Sequence, residues 1–239
     1  SRILIIEDIR CYCSALRYLP HDAAEELHAV ADCLKSIAVY SFLPESIRAR
    51  TDIQAKAVLD YHGKNLARVL LHLFLEDRRR YINVEGVLRS MVPCVEEVVP
   101  HIEGEDVFVL VREKGLRKPV GPAGISDGTL RLLAFIVSLY GGSSVVGFEE
   151  PENCVHPYLL EAIVDLARKA SCQTIITTRS PYLLDHCRVD EVYAVDRRGV
   201  ETVVLRLTDH KELERVKRLL EEGGTLGEAW YSGFFGGNP

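Results

Sequence analysis

The sequence predicts an α/β fold: a sheet flanked by helices, preceded by a smaller α+β and helical segment. Three observations carry this. Two short stretches, 143–149 and 174–178, hold consecutive apolar residues at their centres (Val145–Phe148; Ile175-Ile176) rather than an alternating pattern, as in strands covered on both faces. Helical spacing precedes the first run (126–140) and separates the two (157–170). Strands alternating with helices build a layered sheet. A connection rich in Gly, Pro and Lys at 115–124 marks a soft boundary, so 1–115 and 116–239 are expected to be separate parts.

Bulk properties narrow the class. A chain of 239 residues, 47% hydrophobic and 27% charged, suffices for one large domain or two small ones. A net charge of −6 argues against a dedicated nucleic-acid coat, though a local basic patch remains compatible with it. No apolar run approaches the roughly 20 residues needed to span a bilayer, and no signal peptide is evident at the start. Seven cysteines are scattered, and the close pair Cys11-x-Cys13 suits neither zinc nor a thioredoxin motif. Reduced, mostly buried thiols and a cytoplasmic setting are expected. The chain opens on Ser1 in an apolar run, without Met, and is expected to be part of a longer protein.

In order, 2–6 reads as a strand, and 22–36 as a helix with Ala23, Leu27, Val30, Ala31 and Leu34 on one face. Residues 37–43 read as a strand closed by Pro44, and 52–62 as a loop with a helical turn. An apolar helix over 65–75 ends in Glu76-Asp77-Arg78-Arg79-Arg80. These arginines fit a solvated helix end, where cations complement the macrodipole. The other reading is a DNA-backbone contact shared with Arg89. A helix over 83–91 stops at Pro93, and strands over 95–99 and 106–112 flank the turn 101–105. Late in the chain, strands over 191–195 and 201–207 surround Asp196-Arg-Arg-Gly. A helix over 209–222 follows, with Asp209 as its N-cap.

The chemistry gathers around 143–157, SSVVGFEEPENCVHP. Its apolar run delivers the adjacent carboxylates Glu149 and Glu150, and Pro151 ends the strand. Paired acids at a buried strand tip can hold a metal and activate water; an acidic surface turn is the plain alternative. Upstream, Ser126-Asp127-Gly128-Thr129 opens a helix, with Ser126 or Asp127 as cap and Gly128 permitting close approach of a ligand. A helix start of this kind suits phosphate. Downstream, Asn153 and His156-Pro157 lead into the next helix. Pro157 suits its first turn, and His156 reads as a capping or packing residue before it reads as a ligand. The strand over 174–178 ends in Thr177-Thr178-Arg179-Ser180, placing hydroxyls and a cation at the edge where parallel sheets bind ligands.

SDGTLRLLAF, then VVGFEEPENCVHP, then TIITTRSP resembles, in order and spacing, the signature, Walker B, D-loop and switch segments of ABC-type ATPases. The nearest likeness is to the SMC/RecF-like group described as AAA-family ATP-binding proteins. The tail, from Leu226-Gly-Glu-Ala-Trp230 to Gly236-Gly-Asn-Pro239, resembles that group's ends. The resemblance implies a P-loop NTPase-like sheet and the cofactors ATP and Mg²⁺. It assigns Glu149 to Mg²⁺ through water and Glu150 to the attacking water. Arg179 would meet the γ-phosphate. Ser126, Asp127, Gly128 and Thr129 would meet ATP bound by a second copy, and Asn153, His156 and Pro157 would line the homodimer seam.

Three departures stand out. Glu149 replaces the family's usual Asp, and Arg179 its usual His, so the switch position keeps a permanent charge. No G-x-x-x-x-G-K-[ST] occurs; His62-Gly63-Lys64-Asn65 lacks both the earlier glycine and the hydroxyl. The resemblance therefore implies a C-terminal portion that lacks the Walker A P-loop and is inactive by itself, with the N-terminal P-loop lobe as its partner. The alternative is a non-hydrolysing module that binds nucleotide or a partner, DNA among the candidates.

Overall fold

Proline and capping residues set most element boundaries in the structure, a computed structural model that describes residues 36–235. The strand expected over 2–6, the Cys11/Cys13 pair, the 22–36 helix short of its last residue, and the tail from Gly236 lie outside the described residues. In chain order the first elements are β1 (Ile37–Tyr40), α1 (Pro44–Ile47), β2 (Thr51–Asp52), α2 (Leu66–Glu76) and α3 (Arg78–Met91). Then come β3 (Val95–Glu103), β4 (Asp106–Glu113), α4 (Asp127–Leu139), β5 (Val145–Glu149), α5 (Leu160–Lys169) and β6 (Gln173–Thr177). The last are α6 (Pro181–Leu184), β7 (Tyr193–Arg198), β8 (Glu201–Arg206), α7 (Leu213–Glu221) and α8 (Leu226–Tyr231).

These elements form two compact units that interleave along the chain. The described part of one comprises 36–39, 142–150 and 167–235. Its sheet has the order β1-β5-β6. β5 and β6 run parallel, in register from Val145↔Gln173 to Glu149↔Thr177. Val146, Phe148 and Ile176 are buried, as the continuous apolar runs require. A Cβ on Gly147 would lie 3.3 Å from the Val39 side chain, so glycine here lets β1 approach closely. β7 and β8 form an antiparallel hairpin turning at Gly199, φ 64°. Near the end of the chain, Gly227 donates to the Asp185 carboxylate at 2.8 Å. A Cβ on Gly227 would stand 2.3 Å from the Pro181 carbonyl oxygen, so α8 sits directly on α6. Thr225 and Glu228 cap α8 reciprocally.

One buried acid organises the same unit. Glu191, 2% exposed, receives Arg168 Nε at 2.8 Å and Nη2 at 2.7 Å, one on each oxygen. Arg188 adds its backbone N–H at 2.9 Å and its guanidinium at 3.0 Å. Burial alone would push this carboxyl up. The hydrogen bonds and charges of Arg168 and Arg188 outweigh burial and hold it below the usual glutamate range.

The other unit comprises 40–141 and 151–166. Its sheet has the order β2-β4-β3. The β3–β4 hairpin is paired from Val95↔Glu113 to Glu103↔Asp106 around Gly104-Glu105, with Gly104 at φ 64°. Helix α2 buries Leu66, Ala67, Val69, Leu70, Leu71 and Leu73 and packs on α3, β3 and β4. Helix α4 buries Leu130 and the whole run from Leu132 to Val137.

Several expectations are corrected. The strand over 37–43 ends at Tyr40, because Pro44 opens a helix instead of closing a strand; its fixed φ suits the first helical position. The three arginines do not close a helix. Asp77 accepts the Arg80 N–H at 3.1 Å as the N-cap of α3, so Arg78, Arg79 and Arg80 form its first turn, where the macrodipole disfavours cations. Other contacts offset this: Arg78 lies over the Phe74 ring at 4.3 Å, and Arg80 pairs with Asp77 at 3.2 Å. Pro100 sits inside β3, tolerated because β3 is an edge strand among the described residues. Asp209 caps nothing: the helix starts at Leu213, with Glu212 before it. Of the described free cysteines, Cys172 and Cys187 are buried, but Cys94 and Cys154 are exposed. No helix among the described residues is long and apolar enough to cross a membrane.

Candidate nucleotide site

Glu149 ends β5 opposite Thr177, the last residue of β6. The ladder continues one step further, with the Glu150 N–H donating to the Thr177 carbonyl at 2.9 Å. The backbone then turns sharply, Glu150 having φ 43°, a left-handed value uncommon for a residue with a side chain. Such a residue persists where its surroundings over-determine it, often at working sites. Here the surroundings are visible. Glu150 Oε1 accepts both Arg179 Nε at 2.7 Å and Arg179 Nη2 at 2.6 Å. Arg179 leaves β6 through Thr178, whose hydroxyl accepts the Ser180 N–H at 2.9 Å, and Ser180 caps α6. The structure thus brings Glu150 and Arg179 together at adjacent parallel strand ends. The pair is open to water, Arg179 being 74% exposed, so its own contribution to stability is small.

In the other unit, Ser126 is the cap of α4. Its Oγ accepts the Thr129 N–H at 3.1 Å and lies 2.8 Å from the Thr129 hydroxyl. Asp127 pairs with Arg48 at 2.6 Å. Arg48 also donates to the carbonyls of Pro122 (3.1 Å) and Ile125 (2.7 Å), strapping the loop that leads into the helix. Arg48 escaped the sequence reading because it lies far upstream in a segment without a motif. The backbone that Gly128 admits belongs to this chain: a Cβ there would stand 2.7 Å from the Cys154 carbonyl oxygen. Cys154 itself holds φ 62°, turning the chain between Asn153 and His156. Asn153 is exposed in that turn. His156 caps, as its sequence position suggested, its Nδ1 accepting the Tyr158 N–H at 3.2 Å, and Pro157 follows at the first helical position.

Gly128→Ala is therefore expected to destabilise the chain by about 1–3 kcal/mol, because backbone cannot retreat as a flexible side chain can. Urea unfolding would check this; an unchanged midpoint would show that the turn yields.

The donor chemistry fits ATP and Mg²⁺ in part. Among the described residues no group of three or more His, Cys, Asp or Glu could cage a metal. Mg²⁺ needs no such cage: one or two carboxylates beside phosphates and water are its ordinary holders, and Glu149 is of that type. The phosphate cradle, by contrast, is absent from this sequence.

The parallel β5–β6 pair, with helix α5 between its strands in the chain, is an α/β arrangement. The chain belongs to the family described as "AAA domain, putative AbiEii toxin, Type IV TA system", whose profile matches residues 28–185. No curated protein matches the chain. Among solved structures, one concerned with ATP-driven dimerization and DNA stimulated activation of SMC ATPases is 16% identical. The match covers 65% of this chain and 96% of that one, with a TM-score of 0.48. A second, an SmcHead bound to the C-winged helix domain of ScpA, is 14% identical over 74% of this chain and 57% of that one, TM-score 0.48. The SMC head domain from Thermotoga maritima is 12% identical over 59% and 51%, TM-score 0.40. The chain thus spans about half the length of these last two.

Proposed function

We propose that the chain supplies the hydrolytic and cross-dimer elements of an ATP-hydrolysing ABC-type ATPase. The observation that carries this is the placement of Glu150 and Arg179 side by side at the exits of β5 and β6. In this reading Glu150 orients and polarises the attacking water, and Arg179 meets the γ-phosphate. Glu149 would hold Mg²⁺, which would supply charge neutralisation to the phosphates. Ser126, Asp127, Gly128 and Thr129 present the start of α4 to ATP on a second copy. Asn153, His156 and Pro157 face that copy across the seam. The P-loop comes from a lobe outside this sequence. Residues 1–115 are insert-like, 116–239 form the catalytic lobe, and the setting is cytoplasmic. ATP-driven dimerization described for SMC ATPases is the behaviour expected here, and DNA is a candidate stimulus.

A second reading is favoured by the ion pair itself. With Glu150 Oε1 held by Arg179, its charge is partly satisfied, as suits a module that binds nucleotide without turning it over. Titrating ATP and Mg²⁺ against the protein reunited with a P-loop lobe separates the two. Dimer formation with phosphate release supports the ATPase. Dimer formation without release supports the module, and absence of nucleotide binding ends both. The chain alone is expected to show negligible turnover.

A further inference from the structure

The start of α4 carries an acid that opposes the role proposed for it. Asp127 is the first residue of the helix, and its side chain is exposed. By helix geometry the N–H groups of Asp127 and Gly128 have no acceptor within α4, while the Ser126 hydroxyl takes the third, that of Thr129. Those two N–H groups and the positive end of the macrodipole are what this helix start can offer a phosphate. A carboxylate beside them competes for the same donors and repels a phosphate by like charge.

Arg48 meets that charge. Its Nη2 lies 2.6 Å from Asp127 Oδ1 and donates to the Ile125 carbonyl at 2.7 Å. Its Nε donates to the Pro122 carbonyl at 3.1 Å. These contacts span 122–127, so one guanidinium both pairs with the acid and fixes the approach to the helix. Its footing is rigid. Arg48 is the C-cap of α1, Ile47 of α1 is buried, and α1 packs on α4. Ile125, whose carbonyl it holds, is buried as well. The Arg48 side chain is 26% exposed, so this pair is less open to solvent screening than Glu150–Arg179.

We infer, on the cross-dimer role proposed above for this helix start, that Arg48 is a positioning residue for ATP held by a second copy. It cancels the Asp127 charge and draws the carboxylate onto itself. The Asp127 and Gly128 N–H groups then stay available to the incoming phosphate. A strap that only held the loop carbonyls would fix the backbone but would not depend on the acid. The two roles therefore differ in how they respond to removal of the Asp127 charge.

The test uses the protein carrying its P-loop lobe. The ATP concentration giving half-maximal dimer, with Mg²⁺ present, is read by sedimentation. Wild type is compared with Arg48→Gln, with Asp127→Asn, and with the two changes combined. Glutamine keeps a donor for a loop carbonyl and loses the charge. Expected is an ATP requirement at least about tenfold higher in Arg48→Gln, within about threefold of wild type in the combined variant, and at least about threefold below wild type in Asp127→Asn. An Arg48→Gln protein that dimerises like wild type would overturn the inference. So would a combined variant as impaired as Arg48→Gln, since the arginine would then act on the loop carbonyls alone. Should Arg48→Gln fold poorly, Asp127→Asn decides by itself, and a requirement unchanged or raised in it would overturn the inference. Failure of the cross-dimer reading looks different: wild type itself would form no ATP-dependent dimer, and both would end.

Discussion

Arg168→Met is expected to lower the stability of the chain by about 3 kcal/mol, near the lower end of what removing one partner from a buried ion pair costs. The reason lies in Glu191. Its carboxylate is 2% exposed, and Arg168 supplies one hydrogen bond to each oxygen at 2.7–2.8 Å while also donating to the His186 carbonyl at 2.7 Å. Methionine fills similar space but leaves a buried negative charge with Arg188 alone. The double change Arg168→Met with Glu191→Leu should recover most of the loss, because it removes the charge as well as its partner. Urea midpoints for the three variants decide it; a single variant within about 0.5 kcal/mol of wild type would mean that the charge finds water or another cation. The pair also predicts a pH dependence. Glu191 titrates below its ordinary value near 4.5 in the folded chain. Its contribution is therefore complete above the unfolded value and is lost as pH falls through the folded one. Stability should drop more steeply below about pH 4.5 in wild type than in the double variant.

The second large effect concerns turnover. In the protein carrying its P-loop lobe, Glu150→Gln is expected to slow ATP hydrolysis by about 10²–10⁴-fold while leaving ATP affinity within a few fold. Glutamine keeps the shape and can still accept from Arg179, but it cannot take a proton from water. The left-handed turn at residue 150 also tolerates the change, since backbone and side-chain length are preserved. Pre-steady-state phosphate release would measure the chemical step directly. A rate unchanged by the substitution would remove Glu150 from the role of base and leave the ion pair with Arg179 as a structural contact.

Much of the parallel core was legible because each strand has consecutive apolar residues at its centre, Val145–Phe148 and Ile175-Ile176, instead of an alternating pattern. Helix α4 was legible from its cap, Ser126, and its unbroken buried face. The failures share a cause: one residue type serves opposite ends of different elements. Pro44 can close a strand or open a helix, and only the contacts that follow decide which. Asp77 and the arginines after it satisfy either a helix end or a helix start. The capping bond to Arg80 resolves this, and charge order alone cannot. At the site, the carboxylates, the arginine and the glycine-bearing helix start could be singled out because they sit in short contiguous motifs. What could not be read was long-range. Arg48 reaches Asp127, and Tyr81, Glu85 and Arg89 serve the edge of a strand beyond the next turn. Such pairings leave no local periodicity.

The close seat of α8 on α6 has an optical consequence. Trp230, the single tryptophan of the sequence, is half-buried on α8, three residues after the glycine that bonds to Asp185. A displacement of the 179–185 segment would alter the polarity around that indole. Emission recorded with excitation at a wavelength selective for tryptophan would then report movement of the arginine-bearing segment without any attached dye.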